Sequence, residues 1–64
     1  MSAFMREAEE RLVLRRRVVA ALVAELQWKH DETWDVVEEA QRRNPAATFG
    51  ELVDAALEHE GRKV

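Results

Sequence analysis

Cysteine is absent from the 64 residues, so neither a disulfide nor a thiolate-held metal can tie this chain together. A cysteine-free chain also fits a reducing compartment. Tyrosine is missing and the one serine is Ser2, which leaves little nucleophilic chemistry. Proline occurs once and glycine twice, so there are few enforced breaks. No apolar run approaches the roughly 20 residues that a membrane span needs. The opening MSAFMREAEE lacks the basic-then-apolar order of a secretion signal. Together these absences set the expectation of a cytoplasmic protein without a membrane segment.

What remains is rich in helix formers and helix-tolerated residues: Ala, Leu, Val, Glu and Arg dominate. The chain is 47% hydrophobic and 36% charged, enough apolar matter to fold. Its net charge of −3 speaks against a protein that coats duplex nucleic acid, which is usually basic. One domain is expected over 1–64. A chain this short buries only about 60% of its unfolded surface, and such chains usually lean on disulfides, metals or a partner subunit. With disulfides excluded, efficient helix packing and a partner are left.

The pattern predicts an all-α fold of three helices, with no segment that alternates like a strand. Helix one is expected over about 3–27, with Ser2 as its N-cap. Helix two is expected over about 32–43, capped by Asp31, with Arg42 and Arg43 in its last turn and Asn44-Pro45 beyond. Helix three is expected over about 49–59. Thr48-Phe49-Gly50-Glu51 before it fits a capping box, with Ala47 and Leu52 as a small staple. Gly61 is expected to end it and Glu60–Val64 to be loose. The expected apolar faces are Val19, Leu22, Val23 and Leu26; then Trp34, Val37 and Ala40; then Phe49, Leu52, Val53, Ala56 and Leu57.

One stretch resists this scheme. In RLVLRRRVVAALVAEL, residues 11–26, the core stripe steps back from Val19 onto Arg15 or Arg16 before reaching Leu12. Leu12, Val13 and Leu14 are consecutive, so this turn is apolar over some 200° at about 100° per residue. Two readings follow. The arginines form a solvated collar whose stems cover apolar surface. Alternatively, this half of the helix packs on a second copy or another protein, and the arginines pair with acids across the contact. Residues 1–17 carry a charge of +2 and residues 18–64 a charge of −5, which a two-fold pair of copies could complement. The partner-binding residues expected on this basis are Leu12, Val13, Leu14, Arg15, Arg16 and Trp28. The protein is then a non-catalytic interaction module or regulatory subunit that self-associates, as a homodimer or larger helical oligomer, through its first helix. A second reading is a small DNA-binding regulator in which Arg11, Arg15, Arg16, Arg42 and Arg43 meet phosphates.

Other candidates are weaker. Thr33 and Thr48 are explained as caps. His30 and His59 have no second histidine at helical spacing, so no metal site and no cofactor is expected. His30-Asp31-Glu32 reads as a loop with a cap. Glu38-Glu39 reads as a solvated face, since a catalytic pair would need a cleft. Trp28 and Trp34 flank the first turn, either closing the corner of the core or serving as an exposed hot spot.

Two family resemblances rest on particular residues. Leu26-Gln27-Trp28 followed by two short helices resembles the ubiquitin-associated three-helix domain, which implies ubiquitin binding through that turn and the third helix. Gln27 stands where that family has Gly, and the long first helix is not part of the domain. The segment TFGELVDAAL resembles the second helix of ribbon-helix-helix repressors, although no basic alternating strand precedes the helix pair here.

Overall fold

The computed structural model describes residues 3–62, and they form α1 (Ala3–Leu26), α2 (His30–Arg43) and α3 (Phe49–Arg62). Among the described residues there is no strand. The expected cap Ser2 lies outside them. At 1.5 Å per residue α1 is roughly 36 Å long, which sets the long dimension of a body measuring 42 × 21 × 18 Å. The two shorter helices cannot cover it, and every described side chain from Met5 to Glu10 is exposed.

The first turn bends at Gln27, whose φ of 56° is left-handed, a backbone state that glycine enters without steric cost. Trp28 follows, half-buried against the core. Helix α2 then starts at His30, two residues earlier than expected. Its N-cap is Lys29, in extended conformation and without a side-chain cap. Asp31 is therefore not the cap; it sits with Glu32 in the first turn, where an acid favours the helix dipole. Thr33 is not a cap either. Its backbone N–H donates to the Lys29 carbonyl at 3.0 Å and its hydroxyl to the same oxygen at 2.7 Å, the back-bonding by which a threonine inside a helix satisfies its hydroxyl.

The second turn follows the expected chemistry. The Asn44 N–H closes α2 on the Ala40 carbonyl at 3.0 Å, and the Ala47 N–H donates to the Asn44 carbonyl around Pro45. Thr48 and Glu51 complete the capping box: the Thr48 N–H donates to Glu51 Oε1 at 2.9 Å, and the Glu51 N–H donates to Thr48 Oγ1 at 3.2 Å. The Thr48 backbone bond first, and the Thr48 side chain second, hold the Glu51 carboxyl below its ordinary pKa. Ala47 and Leu52, the staple pair, are both buried. At the far end, Gly61 does not stop α3, which continues to Arg62. Gly61 has no positive φ, and a single glycine in a helix costs only about 1 kcal/mol. Glu60–Arg62 is accordingly helical instead of loose, and the rest of that expectation, Lys63 and Val64, lies outside the described residues.

Val18, Val19, Leu22, Val37, Ala47, Leu52 and Ala56 make the core. Thr33 and Gln41 are buried with them, and no buried side-chain polar atom among the described residues lacks a partner. The core is narrower than the predicted faces. Leu26 is 44% exposed where α1 runs out into the turn, and Phe49 and Leu57 are 43% and 45% exposed. Helix α3 leans on α2 more than on α1; Phe49 is its first residue, where a helix end has least cover, and Leu57 lies on the edge of its apolar face at about 100° per residue. No helix among the described residues is long and apolar enough to cross a membrane.

Candidate functional site

The three arginines at the centre of α1 part company, because each step along a helix turns by about 100°. Arg15 points inward, and its side chain is only 18% exposed. Its Nε donates to Gln41 Oε1 at 2.8 Å and its Nη1 to Glu38 Oε2 at 3.2 Å. The guanidinium carbon lies 5.2 Å from the centre of the Trp34 ring, within cation–π range. Gln41 completes the join by donating from Nε2 to the Arg11 carbonyl at 2.9 Å. The break in the apolar stripe is thus a polar clasp between α1 and α2. All of its partners lie on α2, 23 and 26 residues away for the two hydrogen bonds, so nothing local in the sequence marks it.

Arg16 and Arg17 point the other way and are exposed. With Val13, which is 43% exposed, they lie on the outer face of α1. Arg6, Glu9, Glu10, Val13, Leu14 and Arg17 line a shallow recess of about 410 Å³ to which neither α2 nor α3 contributes. Leu12 and Leu14 are half-buried on the flanks, and Leu14 packs against the core. Of the six partner-binding residues expected, Val13 and Arg16 are outermost, Leu12 and Leu14 border them, Arg15 is engaged within the chain, and Trp28 lies apart at the first turn.

The five arginines expected to meet phosphates are not gathered in one place. Arg11, Arg15 and Arg42 line a common depression together with Glu38 and Gln41. Arg42 reaches Glu39 at 2.8 Å and Glu38 at 3.6 Å, and Arg43 reaches Glu39 at 3.3 Å. Glu38 and Glu39 therefore act as partners for Arg15, Arg42 and Arg43. Arg16 stands on a different face.

His30 stacks on Trp34, one turn along α2, with ring centres 5.9 Å apart and planes at 18°, and its Nδ1 lies 3.6 Å from Asp31. Among the described residues no group of three or more His, Asp or Glu side chains is arranged to hold a metal ion. Sequence reasoning missed Thr33, Gln41 and Val18 as interior positions. Thr33, Val37 and Gln41 follow one another at four-residue intervals on a single face of α2, a spacing that could have revealed the two polar residues.

No family model matches this chain, and neither the curated proteins nor the solved structures include a significant match.

Proposed function

We propose that the protein is a small, non-catalytic interaction module that self-associates through the outer face of its first helix. The observation that supports this most directly is the exposed Val13 among Glu9, Glu10, Arg16 and Arg17, on a helix turn that the chain's own α2 and α3 leave uncovered. The small core adds to it: its largest fully buried side chains are Leu52 and three valines, and chains of this size usually gain stability from a partner. Burial of apolar surface, worth about 25 cal/mol per Å², supplies the affinity, and the arginines select orientation.

Mass in solution tests the reading. Light scattering across a concentration series should show association that the exposed substitution Val13→Asp abolishes while far-UV circular dichroism stays unchanged. A wild-type chain that remains monomeric throughout the series overturns it. The nucleic-acid reading draws less support, since Arg15, Arg42 and Arg43 already face carboxylates. The ubiquitin-binding reading has one observation in its favour. Gln27 takes the left-handed backbone at the position where the ubiquitin-associated turn has Gly. A change in Trp28 emission on adding ubiquitin would support it.

A further inference from the structure

We propose that the self-association face pairs two-fold and antiparallel, with Val13 at the axis, Arg16 against Glu9 of the second copy and Arg17 against Glu10. This rests on the self-association reading and specifies its geometry.

The order of residues along α1 carries the inference. Glu9 and Arg16 are seven residues apart, as are Glu10 and Arg17. Seven residues bring a helix back to within about 20° of the same line, so each pair forms one rail along α1. The rails run on opposite flanks of Val13. Each has its acid about one turn before Val13 and its cation about one turn after. When a second copy is laid antiparallel with Val13 on the axis, every acid falls opposite a cation, and the two-fold makes four pairs from two. A parallel pairing would set acid on acid and cation on cation.

Intramolecular pairing of these charges does not compete. Among the described residues Glu9, Glu10, Arg16 and Arg17 are exposed and form no ion pair within the chain. On α2, by contrast, Arg42 and Arg43 are both held by glutamates. Further along the same face the exposed Ala20 faces the stem of Arg6 from the second copy, a small residue that lets the helices approach. The apolar contact is small, so the dimer belongs to the weak, transient class and carries a marked salt dependence.

Charge reversal with mixing tests the pairing. One variant carries Arg16→Glu and Arg17→Glu, the other Glu9→Arg and Glu10→Arg, and circular dichroism checks that both stay helical. Sedimentation and NMR translational diffusion are followed from roughly 10 µM to 1 mM, the range a weak contact requires. Each variant alone should dimerise at least about tenfold more weakly than wild type, since all four attractions become repulsions. An equimolar mixture should recover dimerisation, because every reversed arginine then meets a reversed glutamate. Two reversals that leave association unchanged overturn the pairing while self-association stands on another face. Loss in both variants without recovery on mixing also overturns it and points to contact between unlike surfaces. A wild-type chain that never associates removes the underlying reading as well.

Discussion

Arg15 and Arg16 are adjacent in the chain and have opposite fates in the fold. Arg15 is drawn against α2, where Gln41, Glu38 and Trp34 receive its guanidinium. Arg16 is exposed and without an ion pair among the described residues. Composition cannot separate them. A cation is admitted to an interhelical contact when hydrogen-bond acceptors and an aromatic face are waiting for it, because desolvation is then compensated. Without such partners the charge stays in water. The lesson is that charge does not make a residue superficial; the supply of partners decides.

Truncation is the strongest way to break this comparison. Arg15→Ala should lower the unfolding free energy by about 2–4 kcal/mol, from two charge-assisted hydrogen bonds and the ring contact. Arg16→Ala should stay within about 0.5 kcal/mol, as exposed substitutions do. Urea titration of both variants measures the difference, and equal losses would refute it. A double-mutant cycle of Arg15→Ala with Gln41→Ala should return a coupling of about 1–2 kcal/mol, within the range found for residues that touch.

The helix starts offer a smaller contrast of the same kind. Thr48 satisfies free donors of α3, whereas Lys29 offers α2 nothing from its side chain. Thr48→Ala should cost about 1 kcal/mol, and Lys29→Asp should stabilise by about 0.5–1 kcal/mol, both read from thermal melts. The least effect is one of pH. Because the folded Glu51 carboxyl lies below its ordinary pKa, its contribution is present above the unfolded value and is lost as pH falls through the folded one. The stability gap between wild type and Glu51→Ala should therefore narrow on acidification. A gap independent of pH would show that the capping carboxylate contributes nothing through its charge.

The helical class, the order of the three helices and the Thr48–Glu51 box were legible because each rests on residues within a turn or two of one another. The start of α2 was not. Asp31 is the better intrinsic cap, yet the helix begins at His30, with Thr33 bonding back to Lys29. Val18, Thr33 and Gln41 were overlooked for a different reason. Their burial depends on how α1 and α2 are rotated against each other, which local periodicity leaves free, and polar Thr and Gln usually signal surface. The excess apolar width at Leu12, Val13 and Leu14 was legible, but not that Val13 would be the outermost of the three. That follows from where α2 and α3 settle on the shared core, with the Arg15 contacts to α2, more than 20 residues away in the chain, helping to set the α1–α2 pairing.

The surroundings of Trp34 give the molecule an optical gauge of its own. Its indole stacks with an imidazole from its own helix and lies under a guanidinium from the neighbouring one, so loosening of α1 from α2 should alter the light it emits. With Trp28 replaced by Phe, that emission would come from a single chromophore, and helix docking could be followed in real time without attaching a dye.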